Sequence, residues 1–225
     1  MEYRHELKFI VNDFDIAKLR ARLWPSLQPD ENSGEAGYMI RSLYFDDAHD
    51  SALYEKQDGV NLRAKFRMRI YNYADETVYL EKKEKVNTFT RKTRTRLTRE
   101  EAEHLIRGDE GFPFAQEDTL LRDFWIKRTC NRLRPVQLVD YHRLAYRCAH
   151  GNVRITLDTQ VSAPLAIALF EPALPRVPAM PQGCQILEIK YDGFIPDYIQ
   201  QLLQMDVGRP QACSKYLLCR LAAMR

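Results

Sequence analysis

The 225-residue chain is 45% hydrophobic and 29% charged, with nine glycines and eleven prolines, the composition of an ordinary soluble globular protein and a fit to one large domain over 1–225. Thirty-four Lys+Arg against 31 Asp+Glu leave +3, which excludes a histone-like coat and an acidic disordered chain. Five scattered cysteines without a C-x-x-C pair (Cys130, Cys148, Cys184, Cys213, Cys219) argue against a disulfide framework or a zinc site, so reduced thiols and a cytoplasmic location are expected.

The first eight residues carry charges where an export signal would place its apolar core. The longest apolar stretch, Val161 to Phe170, contains Pro164 and falls far short of the roughly 20 residues that span a bilayer. No intrinsic membrane segment is expected, and a membrane partner is left open.

Tyr3 to Ile10 alternates as a strand. Asn12 or Asp13 caps a helix carrying Ile16, Leu19 and Leu23 and ended by Pro25, and Gln28 to Gly37 reads as a mobile loop. Tyr38 to Phe45 reads as a strand, followed by a short helix capped by Asp46 and Asp47 and running to about Lys56. Leu62 to Tyr71, Thr77 to Lys85 and Thr88 to Leu97 share the two-residue period of consecutive antiparallel strands. Thr98 opens a capping box for a helix ending at Gly108, and a second helix fits Asp118 to Leu133. Strands follow at Val136 to Arg147 and Asn152 to Leu157, then a proline-rich passage, a strand at Gln185 to Tyr191, and helices at Pro196 to Met205 and Gln211 to Met224.

The charges fall at alternate strand positions. Glu6 and Lys8, Arg67 and Arg69, Glu81 and Lys83, Lys92 and Arg94, Tyr141 and Arg143, Arg154 with Thr156 and Asp158, and Glu188 and Lys190 each share one face of their strand. A single strand of this kind is ordinary, since a one-sided sheet shows charge to water. Seven together suggest an α+β fold whose antiparallel sheet curls into a barrel, with charged faces inward and helices outside. So many cations on one surface repel one another unless a polyanion fills the space, and phosphate suits both the Arg fork and the Lys point charge. Glu6, Glu81, Asp158 and Glu188 supply the hard oxygens that Mg²⁺ or Mn²⁺ takes together with phosphate, so the combination reads as a phosphoryl-transfer site. The charge is also segregated: Arg63–Arg96 holds eleven Lys+Arg and four Asp+Glu, a net +7, leaving −4 for the rest.

Seven strings occur in order: Y-R-H-E-L-K-F at 3–9, S-L-Y-F-D-D at 42–47, R-M-R-I-Y at 67–71, Y-L-E-K-K at 79–83, Y-H-R-L-A-Y at 141–146, L-E-I-K-Y at 187–191 and S-K-Y at 214–216. They resemble the VTC domain, the polyphosphate polymerase branch of the CYTH-like triphosphate tunnel metalloenzyme superfamily, from Tyr3 to about Leu221. The resemblance implies an eight-stranded antiparallel tunnel, binding of ATP or another triphosphate with Mn²⁺ or Mg²⁺, and transfer of the γ-phosphate to a growing inorganic polyphosphate chain. It implies that Lys8, Arg67, Arg69, Lys83, Arg143, Lys190 and Lys215 serve catalysis. These same residues, with Lys92, Arg154 and Ser214, would hold phosphates, Ser214 and Lys215 near the start of the last helix. Glu188 would be the chief metal ligand, supported by Glu6, Glu81 and Asp158. Where hydrolase and cyclase relatives begin E-x-E-x-K, the matching positions here are Arg4, Glu6 and Lys8, which favours the polymerase branch. A triphosphate or polyphosphate hydrolase and a non-catalytic polyphosphate-binding module are the alternatives. No nucleic-acid partner is expected, because the basic residues alternate with apolar ones and no exposed base-stacking motif accompanies them. The five histidines read as structural, and Arg41 as a weaker candidate phosphate contact.

Overall fold

A computed structural model describes residues 4–30, 33–86, 89–109, 117–204 and 208–224. Tyr3, Asn87, Thr88 and Met205, at the ends of expected elements, lie outside the described residues, as does the side chain of Arg4. The strands are β1 (Arg4–Asn12), β2 (Gln28–Pro29), β3 (Tyr38–Asp46), β4 (Leu62–Tyr71), β5 (Val78–Val86), β6 (Phe89–Leu97), β7 (Arg134–Cys148), β8 (Val153–Pro164), β9 (Arg176–Pro178) and β10 (Cys184–Asp192). The helices are α1 (Asp13–Leu23), α2 (Ser51–Gln57), α3 (Arg99–Arg107), α4 (Thr119–Asn131), α5 (Asp197–Leu202) and α6 (Lys215–Ala223).

The hydrogen-bonded strand order is β1-β10-β8-β7-β3-β4-β5-β6, with β2 paired to β7 and β9 to β8. Among the described residues this path has two ends, β1 and β6, so the expected closed barrel is corrected to an open antiparallel sheet. The eight expected strands are all present. Backbone contacts divide the chain into two compact units, one of Met1–Met39, Tyr141–Ser162 and Pro178–Lys215, the other of Ile40–Asp140, Ala163–Val177 and Tyr216–Arg225.

In the first unit the alternation of β1, β8 and β10 sends Val11, Val153, Ile155, Leu157, Leu187 and Ile189 into a core shared with Ile16, Leu19 and Leu23 of α1. Asn12 caps α1 in a box with Asp15, accepting from its N–H at 2.8 Å. The segment after α1 departs from the expected mobile loop. Asp30 N–H donates to the Ala145 carbonyl at 2.8 Å, Ser33 Oγ accepts from Ala145 N–H at 3.0 Å, and Gly37 (φ +74) sits where a Cβ would lie 2.4 Å from the Arg143 carbonyl. Residues 31–32 lie outside the description.

In the second unit Leu43, Phe45, Phe66, Met68, Ile70, Val78 and Leu80 face a core completed by α3 and α4, where Phe124 meets Phe45 and Phe66 edge-on at 4.9 and 5.5 Å. The capping box at Thr98–Glu101 and the left-handed Gly108 (φ +80) bound α3 as expected. The two aspartates before α2 act on its first turn: Asp46 accepts from Ala52 and Leu53 N–H at 2.8 and 3.1 Å, and Asp47 from Ser51 N–H at 3.0 Å. Arg41 proves structural. Fully buried, it forks onto Asp140 with two 2.8 Å bonds and donates to the Glu171 carbonyl, which ties the proline-rich passage to β3.

The expected last helix shortens to Lys215–Ala223, because Gln211 N–H is drawn to the Lys8 carbonyl at 2.9 Å instead of entering a helical turn. The helix expected at Pro196 to Met205 shortens to Asp197–Leu202.

Candidate functional site

The antiparallel register of β1 on β10 places Glu6 opposite Lys190 and Lys8 opposite Glu188, so charges alternate both along and across the pair. Lys8 Nζ lies 2.6 Å from Glu6 and 3.4 Å from Glu188, and Lys190 Nζ lies 2.6 Å from Glu188 and 4.0 Å from Glu6. On the same unit, β8 continues the row: Lys190 stands opposite Arg154, Glu188 opposite Thr156 and Ile186 opposite Asp158. Asp158, fully buried, receives two bonds from the Arg143 fork at 2.6 and 2.7 Å and an ion pair from Lys215 at 2.6 Å. Arg154 is held by Asp30 at 2.7 Å and donates to the Tyr38 hydroxyl at 3.3 Å.

Opposite charges dominate this electrostatics. Burial alone would raise the Glu188 carboxyl, yet Lys190, then Lys8, Arg143 and Lys215, hold it well below the usual range. Burial likewise opposes ionisation of Lys8, and Glu188 and Glu6 reverse this to push its ammonium above the ordinary value. Asp158 is lowered against burial by Arg143 and Lys215. Glu188, Asp158 and Lys8 are therefore ionised near neutral pH.

The second unit holds another set. Across β4, β5 and β6 the register forms the rows Arg67–Glu81–Arg94 and Lys65–Lys83–Lys92, with Tyr44 of β3 opposite Arg67 and Ser42 opposite Arg69. Glu81, 1% exposed, is gripped by Arg67 at 2.6 Å and Lys92 at 2.5 Å, with Arg69 at 3.8 Å. Arg67 also donates to the Tyr44 hydroxyl at 2.8 Å, and Arg69 to Ser42 Oγ at 3.1 Å. Burial would raise Glu81, but Arg67, Arg69 and Lys92 outweigh it and hold the carboxyl far below its ordinary range.

Lys65 is the functional candidate missed by sequence reasoning. It shares the cationic face of Arg67 and Arg69, and its ammonium sits 4.4 Å from the ring centroid of Tyr216. Burial first, then Lys56, Arg63 and Lys83, push it down to about 7 against the pull of Asp46. An unfolded lysine titrates near ~10.4, so between these values the unfolded chain binds more protons and stability rises with pH. Below about 7 both states are protonated and this contribution to the slope vanishes. Denaturant titrations of the wild type and Lys65→Met at pH 7.5 and 9.5 are expected to show a smaller pH-dependent gain in the variant; equal gains would refute the assignment.

The sites expected from sequence thus fall into two sets. Lys8, Arg143, Arg154, Lys190 and Lys215 gather with Glu6, Asp158 and Glu188 in the first unit, while Arg67, Arg69, Lys83 and Lys92 gather with Glu81 in the second. Ser214 directly precedes α6. Among the described residues no group of three or more His, Cys, Asp or Glu is placed to hold a metal ion. Mg²⁺ and Mn²⁺ in nucleotide sites often use only one or two carboxylates and take phosphate oxygens for the remainder. Glu6 and Glu188 fit that demand as a carboxylate pair bridged by Lys8 and Lys190, whose ammonium groups also occupy both Glu188 oxygens. Asp158 has both oxygens engaged by Arg143 and Lys215, and Glu81 is enclosed by three cations. His5 stacks on Tyr191 at 4.9 Å and His104 pairs with Asp109 at 2.7 Å, both structural contacts, and none of the five cysteines forms a disulfide.

The model of the VTC domain family matches residues 3–224. Among solved structures, a candidate adenylate cyclase from Bacillus halodurans aligns at 16% identity with a TM-score of 0.56, covering 95% of each chain. The PH1819 protein from Pyrococcus horikoshii aligns at 18% identity and 0.50, covering 97% of this chain and 98% of its own. A chain of the Schizosaccharomyces pombe Mediator head module aligns at 11% identity and 0.50, covering 88% of each chain. At these identities the likeness shows the fold. No curated protein matches the chain.

Proposed function

As the chain belongs to the VTC domain family, we propose that it is a metal-dependent phosphotransferase that passes the γ-phosphate of ATP to a growing inorganic polyphosphate chain. The observation that carries this reading is the placement of lysines and arginines, in register on adjacent strands, around carboxylates that are themselves held by those cations. A phosphate chain offers the same cations a denser set of oxygens, so it enters by exchanging ion pairs rather than by meeting bare charge.

In this reading Arg67 and Arg69 present forks to phosphoryl oxygens, Lys83 and Lys92 add mobile point charges, and Lys8, Arg143, Arg154, Lys190 and Lys215 do the same on the other set. Transfer of a phosphoryl group depends on aligning donor and acceptor and spreading charge, which cations already gathered on adjacent strands supply once their ion pairs are exchanged. Glu188 with Glu6 would hold the divalent ion, which supplies charge neutralisation on phosphoryl oxygens when bound. Among the described residues no helix is long and apolar enough to cross a membrane.

The test is incubation of the purified protein with γ-labelled ATP and Mn²⁺, with products resolved on a gel. A ladder of long chains is expected. Orthophosphate alone would replace this reading with a hydrolase on the same fold, and tight polyphosphate binding without turnover would replace it with a binding module.

A further inference from the structure

Thr156 carries a polar atom for which the fold provides no use. The residue is 2% exposed, and its Oγ1 is buried with no hydrogen-bond partner among the described residues. Its neighbours Val153, Ile155 and Leu157 lie in the core of the first unit, so alternation puts Thr156 on the other face of β8, with Arg154 and Asp158 two residues to either side and Glu188 directly across. A valine has the same shape and would remove the cost of burying an unpaired hydroxyl.

A second unused donor lies beside it. Arg154 spends Nη2 on Asp30 and Tyr38, while its Nε is buried with no hydrogen-bond partner among the described residues. The carboxylates nearest in register are engaged by other cations, Glu188 by Lys8 and Lys190 and Asp158 by Arg143 and Lys215. Residues two apart on one strand have their Cα atoms about 7 Å apart, and one phosphoryl group can accept from side-chain donors on both through two of its oxygens.

We propose that the Thr156 hydroxyl and the Arg154 Nε–H together hold one phosphoryl group, Thr156 being a direct ligand to a phosphoryl oxygen. The assignment rests on the reading of this face as a phosphate-chain site and adds to it a neutral donor that discriminates by position rather than charge. An unpaired hydroxyl in the ligand-free protein is then a donor kept ready, at some cost in stability, for an oxygen that arrives with the ligand.

The experiment is calorimetric titration with tripolyphosphate in chelator, without divalent metal, on the wild type, Thr156→Val and Thr156→Ser, alongside thermal melts of the ligand-free proteins. Thr156→Val is expected to bind about tenfold or more weakly, the scale of one hydrogen bond to a charged acceptor, while Thr156→Ser stays close to wild type. The ligand-free valine variant is expected to melt at or above the wild-type temperature, the opposite of what loss of a structural hydrogen bond produces. A valine variant that binds like wild type, or one weakened only when Mn²⁺ is present, overturns the assignment and leaves the phosphate site standing. A wild type that does not bind tripolyphosphate overturns both.

Discussion

Replacing Asp158 by asparagine is expected to cost the ligand-free protein about 3–5 kcal/mol, the scale for removing one partner of a buried ion pair. The carboxylate is fully buried and is the shared counter-charge of Arg143 and Lys215, both within 2.7 Å. Asparagine keeps the shape and one acceptor but leaves two cations facing each other without compensation. At this chain length roughly 2–4 °C of melting temperature accompanies each kcal/mol, so the shift is large. Acid acts on the same contribution: the Asp158 pKa is lowered on folding, so its stabilisation is complete above the unfolded value near ~3.9 and is lost as pH falls through the folded one. Tripolyphosphate is expected to recover much of the variant's melting temperature, because it supplies the missing negative charge. The resemblance to metal-using relatives assigns Asp158 a supporting ligand role, and the same measurement separates the two roles. A ligand whose oxygens are otherwise idle leaves metal-free stability unchanged when neutralised; an internal counter-ion does not.

How much of this was legible beforehand depended on whether the deciding interaction was local. Strands β4, β5 and β6 match the expected spans to within a residue or so, because ten residues of strict alternation have one consistent placement on a half-buried sheet. The capping box at Thr98 was legible for the same reason, its partner lying three residues away, whereas the first helix offered Asn12 or Asp13 as its cap and the structure takes Asn12 in a box with Asp15. The two-residue β2 and three-residue β9 were not, since each is defined by pairing with a distant strand and carries proline or turn-forming residues. The open strand order was hidden too: alternation specifies which face a residue takes but not whether the first and last strands of a sheet meet.

The candidate site divides along the same line. Face-sharing put Glu6, Lys8, Arg67, Arg69, Glu188 and Lys190 on the charged surfaces, and the register sets Glu6 opposite Lys190, Lys8 opposite Glu188 and Arg67 opposite Glu81. What alternation could not distinguish is a carboxylate held by lysines alone from one locked by an arginine fork. Glu6 and Glu188 share two lysines, whereas Asp158 is locked by an arginine fork and a third lysine, a difference of geometry between residues that look alike in sequence. Lys65 and Thr156 escaped for a related reason, because each is defined by what surrounds it: other cations in one case, the lack of a hydrogen-bond partner among the described residues in the other.

Glu188→Gln is expected to lower metal-dependent turnover by well over about 100-fold, since even the outer-shell partners of a metal cost 10–100-fold when removed. The variant is expected to fold, in contrast to the severe loss at Asp158. Glu6 remains 2.6 Å from Lys8 and 4.0 Å from Lys190, so neither lysine is left without a carboxylate, and both are part-exposed. Neutralising Glu188 also makes its face more positive by one charge and releases Lys8 and Lys190 from their ion pairs with it. Tripolyphosphate binding without metal should therefore hold or tighten while turnover collapses. That opposite movement of binding and rate is what separates a residue serving charge neutralisation during transfer from one that only shapes the phosphate site, which would weaken both. Intact turnover in Glu188→Gln would remove Glu188 from the metal assignment. Intact turnover in Glu6→Gln as well would remove the metal from this cluster.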